Sequence, residues 1–121
     1  MPYTLDWEPK GVYKRFHGQV SFAEYARSVG ETLGDERTDS LRYIINDLTG
    51  IEGYSVTAWE AEEVSAMSVG AARSNPRLRL AFVTKNPALR ALIVAALAVS
   101  RFEAKTFTNL DDARAWCAVT R

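Results

Sequence analysis

Leu41-Arg42-Tyr43-Ile44-Ile45-Asn46-Asp47-Leu48-Thr49-Gly50-Ile51-Glu52-Gly53-Tyr54-Ser55-Val56-Thr57 is the stretch that decides the fold. Over Leu41–Leu48 the apolar residues fall on both faces of an extended chain, as in a strand buried on two sides and therefore central in its sheet. Thr57-x-x-Glu60 then forms a capping box, in which each side chain can bond the other's backbone N–H, so a helix opens there. That helix carries Val64, Met67 and Ala71 along one side and should end near Ser74-Asn75-Pro76. A central strand feeding a capped helix is the repeating unit of a parallel α/β sheet.

The same alternation extends in both directions. Upstream, Ser21-x-x-Glu24 is another capping box, and Phe22, Ala26, Val29 and Leu33 follow as one apolar stripe that Gly34 stops. Asp35–Ser40 is polar and reads as a surface loop. Val12–His17 alternates as a strand, with Val12, Lys14 and Phe16 on one face and Tyr13, Arg15 and His17 on the other, bounded by Gly11 and Gly18. Tyr3–Trp7 is its partner strand, joined through a Glu8–Gly11 turn. Downstream, Leu78–Thr84 is a strand, and Asn86-Pro87 supplies an N-cap followed by proline at the first helical position. Ala104–Phe107 is the last strand. Asn109, Asp111 and Asp112 open the last helix, whose inner stripe is Leu110, Ala113 and Cys117. The order β-β-α-β-α-β-α-β-α predicts a mostly parallel or mixed five-stranded sheet with about four helices, in a single domain over 1–121.

Composition narrows the function. The chain has 121 residues, with 15 Lys+Arg against 15 Asp+Glu and a net charge of zero. That balance argues against a protein that holds nucleic acid through a general basic surface. The single cysteine, Cys117, excludes an intrachain disulfide. The N-terminus lacks a basic region followed by an apolar run, so no signal peptide is expected. The longest apolar run, Ala91–Val99, is far short of the roughly 20 residues of a spanning helix. A cytoplasmic protein without a membrane span is expected.

In open α/β sheets, sites lie at the carboxyl ends of strands. Attention therefore falls on Asp47, Thr49, Gly50, Ser55 and Thr57, between the central strand and the helix after it. Hydroxyls and free N–H groups at that helix start would suit an anion. The plainer reading is that Thr57 serves only as a cap, with Gly50 and Gly53 serving the turn. His17, the only histidine, could do acid–base chemistry with Asp6 or Asp47, but no second His or Cys joins it, and no metal or cofactor is expected. Arg73, Arg77 and Arg79 read as a solvated basic cluster balanced by Glu60, Glu62 and Glu63. The Ala88–Val99 helix is apolar all round, so part of it is left to meet a second subunit, line an apolar cavity or pack on the last helix.

Three segments together resemble the SpoIIAA-like branch of the STAS fold, the domain of anti-sigma-factor antagonists and sulfate-transporter tails. They are Asp47-Leu48-Thr49 with the loop after it, Val83-Thr84-Lys85-Asn86-Pro87, and Phe107-Thr108-Asn109-Leu110-Asp111-Asp112-Ala113-Arg114-Ala115-Trp116. Antagonists of this type carry an Asp-Ser pair at the start of the second helix, whose serine a kinase partner phosphorylates. That pair falls here on Ser55 and Val56, which leaves Ser55 or Thr57 as the candidate phosphoacceptor. The resemblance implies a non-enzymatic regulatory or protein-interaction domain, here expected to form a homodimer or bind another protein. The alternative is a carrier of a small apolar or carboxylated, lipid-like ligand under the Leu89–Val99 helix, bound by Leu89, Leu92 and Ile93.

Overall fold

The computed structural model describes residues 2–57, 59, 60, 63, 66, 75–98 and 102–119. Strands β1 (Tyr3–Trp7) and β2 (Gly11–Ser21) form an antiparallel hairpin, and β3 (Tyr43–Ser55), β4 (Arg79–Val83) and β5 (Glu103–Phe107) follow in parallel. The strands lie in the order β1-β2-β3-β4-β5, so the sheet is mixed, with its single antiparallel pair at one edge. Three α-helices have described bounds: α1 (Phe22–Leu33), α2 (Pro87–Leu97) and α3 (Leu110–Ala118). Trp59, Glu60, Glu63 and Ala66 are also helical. The remainder of the expected helix, with Val64, Met67 and Ala71, lies outside the described residues.

Local chemistry explains the helix starts. Glu24 N donates to Ser21 Oγ at 3.2 Å while Ser21 N donates to Glu24 Oε1 at 3.1 Å, a complete capping box. Asn86 Oδ1 accepts from the N–H groups of Ala88 and Leu89, with Pro87 in the first turn. Asn109 Oδ1 accepts from Asp112 N. Each device satisfies N–H groups that no helical carbonyl can reach.

The sheet is buried on both faces. Phe16, Val20, Leu48 and Phe82 pack with Tyr25 of α1 and Leu89, Leu92 and Ile93 of α2 on one face. Ile45, Ala81 and Val83 pack with Ala113 and Cys117 of α3 on the other. Cys117 is thus a core side chain, and burial pushes its thiol up to about 11.

Several expectations need correction. Asp35–Ser40 is not a plain surface loop: Glu36–Ser40 forms a 3-10 turn that buries Thr38. The Thr38 hydroxyl donates to the Thr32 carbonyl, and the Asn75 amide ties the turn down through the Thr38 and Leu41 carbonyls at 3.0 and 2.7 Å. His17 does not end its strand, because β2 continues to Ser21 through Gly18, which sits at φ 68. Arg79 is not solvated. It is 7% exposed, and its Nη1 donates to the Trp116 and Val119 carbonyls at 2.7 and 3.0 Å, satisfying the end of α3.

Gly11 is where the first turn meets the sheet. A Cβ there would lie 2.1 Å from the Tyr43 ring, whose hydroxyl donates to Glu8. Gly11→Ala is therefore expected to cost roughly 1–3 kcal/mol as an overpacked site, read as a lower urea midpoint with an unchanged m-value. A midpoint equal to wild type would show that the ring moves aside freely.

Candidate functional site at the carboxyl ends of β3 and β4

The expected loop after Asp47 is largely strand. β4 leaves β3 at the Asp47–Val83 pair, but β2 stays paired with β3 as far as Ser21–Ser55. A two-stranded ribbon thus projects beyond the sheet. Two register shifts break its alternation, one between Arg15 and His17 and one between Gly18 and Gln19. They bring Leu48, Ile51 and Tyr54, three residues apart instead of two, to the same cavity. Gly50 serves a close approach in this ribbon, since a Cβ there would lie 2.9 Å from the Phe16 carbonyl oxygen.

The ribbon, α2 and the turn between β4 and α2 enclose three adjoining features. Beneath α2 is an apolar cavity of about 70 Å³, lined by Phe16, Tyr25, Tyr54 and Val56 together with Leu92 and Ile93. At the carboxyl ends of β3 and β4 is a depression of about 310 Å³ that includes Glu52, Thr84, Asn86 and Leu89. Along the outer side of α2 runs an open groove of about 610 Å³, lined by Pro87, Ala91, Val94 and Ala95 of α2 together with Lys85 and Thr108. Val94 is 55% exposed in that groove.

The predicted site residues divide between these surroundings. Leu89, Leu92 and Ile93 line the cavity beneath α2. Asp47 does not join them. Its carboxylate accepts from the Tyr13 hydroxyl and from the Thr49 hydroxyl and N–H at 2.6 and 3.0 Å. Burial alone would raise the Asp47 carboxyl, but the Thr49 and Tyr13 hydrogen bonds hold it below its ordinary value. Among the described residues it shares no hydrogen bond with His17, which is exposed.

Ser55 is exposed at the end of β3. Thr57 is a cap: Glu60 N donates to its Oγ1 at 3.2 Å, while the Thr57 hydroxyl and N–H both donate to Glu60 Oε1 at 3.1 Å. A carboxylate from the chain itself therefore occupies the Thr57 hydroxyl and N–H. Val56, where the resemblance places the phosphorylated serine, lines the apolar cavity. Sequence reasoning missed Tyr25, Tyr54 and Val56 as lining residues, and it missed Trp59, which is 70% exposed in the first turn after Thr57.

Among the described residues, no helix is long and apolar enough to cross a membrane. No protein-family model matches the chain, and no curated protein matches it. Solved structures do. An uncharacterised protein of the DUF3478 family with a SpoIIAA-like fold, from Shewanella loihica PV-4, aligns with a TM-score of 0.61 at 15% identity, covering 96% of this chain and 92% of that one. The anti-sigma factor antagonist SpoIIAA in its unphosphorylated form aligns with a TM-score of 0.63 at 10% identity, covering 93% and 94%. The chain has a SpoIIAA-like, STAS-type α/β fold.

Proposed function

We propose that this chain is a single, non-enzymatic STAS-type regulatory domain that works by binding protein, beginning with a second copy of itself. The observation that carries the reading is the groove beside α2, where Ala91, Val94 and Ala95 are turned to solvent along an otherwise core-forming helix. A helix with apolar residues on all sides leaves one face for a partner. Trp59, exposed in the first turn after Thr57, is the residue type most often found at the centre of protein interfaces.

Two further observations favour binding over chemistry or carriage. Asp47 is committed to Tyr13 and Thr49 instead of to His17, which leaves that pair without the geometry of acid–base work. The cavity of about 70 Å³ is smaller than the ~150 Å³ that accepts a benzene ring, which counts against a lipid-like cargo. Regulation by phosphorylation would use Ser55, exposed beside the expected position, since the equally near Thr57 hydroxyl is bonded to Glu60.

Val94→Glu tests the reading. A charge in the middle of an apolar contact should weaken self-association by at least tenfold, seen as a shift to monomer in sedimentation velocity, with folding stability within about 0.5 kcal/mol of wild type. Wild-type protein that is monomeric at high micromolar concentration would contradict the self-association.

A further inference from the structure

At the opposite end of the sheet from the groove, the amino-terminal ends of three neighbouring strands bring cations together. Lys10 immediately precedes β2, Arg42 immediately precedes β3, and Arg79 begins β4. The backbone locks them side by side: Arg42 N donates to the Lys10 carbonyl at 2.7 Å, and Arg79 N donates to the Arg42 carbonyl at 3.0 Å. Parallel pairing sets such neighbours about 4.8 Å apart across the sheet. With Arg77 they line a cleft of about 640 Å³, inside the roughly 300–1,000 Å³ range of small-molecule sites.

The cleft concentrates charge in a chain whose total charge is zero. Four of its lining residues are cationic, and no carboxylate lines it among the described residues. The nearby Glu8 is engaged elsewhere. Glu8 accepts from both Arg114 Nη atoms at 3.1 and 2.9 Å and from the Tyr43 hydroxyl. Glu103, on the neighbouring β5, does not line the cleft, but its carboxylate forms an ion pair with Arg79 Nε at 3.6 Å, longer than a hydrogen bond.

Arg79 supplies an independent sign of a ligand. Its Nη1 is satisfied by the end of α3, yet its buried Nε, which faces the Glu103 carboxylate only at ion-pair distance, has no hydrogen-bond partner among the described residues. An unpartnered buried donor on a guanidinium is costly, and an incoming oxyanion would remove that cost. The lining also includes the apolar residues Pro9, Ala118 and Val119.

We infer that this cleft binds a small organic molecule through a phosphate group, held by Lys10, Arg42, Arg77 and Arg79, with the organic part against Pro9 and Val119. Several cations around one cleft match a multiply charged, tetrahedral oxyanion better than a single carboxylate, which one guanidinium fork can satisfy. The site is separate from the groove proposed to bind protein, so either can exist without the other.

The test is amide NMR titration of the full chain at low salt with pyrophosphate, phenyl phosphate and citrate. Saturable shifts at Lys10, Arg42 and Arg77–Arg79 with both phosphates are expected, with phenyl phosphate also shifting Val119. Lys10→Ala combined with Arg42→Ala, both exposed side chains, should weaken phosphate binding at least tenfold. Arg27→Ala, an exposed cation on α1, should leave it unchanged. No saturation by millimolar pyrophosphate would overturn the inference, as would equal weakening by Arg27→Ala. Citrate binding as tightly as the phosphates would reject phosphate as the recognised group.

Discussion

Lys14→Met should stabilise the protein by about 4 kcal/mol at pH 6, and the gain should shrink steadily as the pH is raised to 9.5. Lys14 shares the apolar face of β2 with Val12 and Phe16 and is 2% exposed. Its Nζ donates to the Ser28 carbonyl at 3.2 Å, the one hydrogen bond it makes among the described residues. Burial pulls its pKa down from 10.5 to about 7, with Glu31 opposing the shift weakly.

The sign follows from proton linkage. Between about pH 7 and 10.5 the unfolded chain holds the Lys14 proton and the folded chain does not, so stability rises with pH across that window. Below pH 7 both states are protonated and the full cost of burying the charge remains. At ~1.4 kcal/mol per pKa unit, a shift of this size amounts to about 4–5 kcal/mol. Methionine fills similar space without a charge, and the Ser28 carbonyl keeps its bond from the Thr32 hydroxyl at 2.8 Å. Above pH 10 the tyrosines reverse the trend, since burial raises Tyr3, Tyr13 and Tyr43 to about 12. Urea melts of wild type and Lys14→Met at pH 6, 8 and 9.5 measure the effect. A difference that does not change with pH would refute it.

Phe16→Ala should cost about 3–5 kcal/mol, a large part of the 5–15 kcal/mol that holds a typical domain together. The ring is 1% exposed, and its centroid lies 5.8 Å from that of Tyr3 and 5.7 Å from that of Tyr25. It also forms a wall of the cavity under α2. Truncation would join the lost ring volume to that cavity and give space for a single aromatic ring. Benzene should therefore raise the melting temperature of Phe16→Ala and leave wild type unchanged. A loss below about 1 kcal/mol would mean that α1 and α2 collapse into the gap.

The parts of the fold that were legible in the sequence depend on neighbours a few residues apart. Ser21 with Glu24, Thr57 with Glu60, Asn86 with Pro87, and Asn109 all mark helix starts through bonds within one turn. Leu89, Leu92 and Ile93 were legible as cavity residues because helical spacing puts them on one side. The ribbon was not. Gly50 and Gly53 looked like turn residues, whereas their function depends on β2: Gly50 lies against the Phe16 carbonyl and Gly53 against the Gln19 side chain. Two register shifts also hide the apolar phase that joins Leu48, Ile51 and Tyr54.

Arg79 and Lys14 are instructive for a different reason. Alternation already set Lys14 beside Val12 and Phe16, and Arg79 beside Ala81 and Val83. The pattern contained both burials; residue type obscured them. The groove beside α2 was expected only as a leftover apolar face, since Lys85 and Thr108, which also line it, lie outside the helix.

Amide NMR on serial dilution tests most directly whether the face of α2 is a protein-binding surface. Concentration-dependent shifts are predicted at Ala91, Val94, Ala95 and residues 84–86, and Val94→Glu should move them to at least tenfold higher concentration. Spectra unchanged from micromolar to millimolar concentration, or shifts confined to residues away from α2, would contradict that claim.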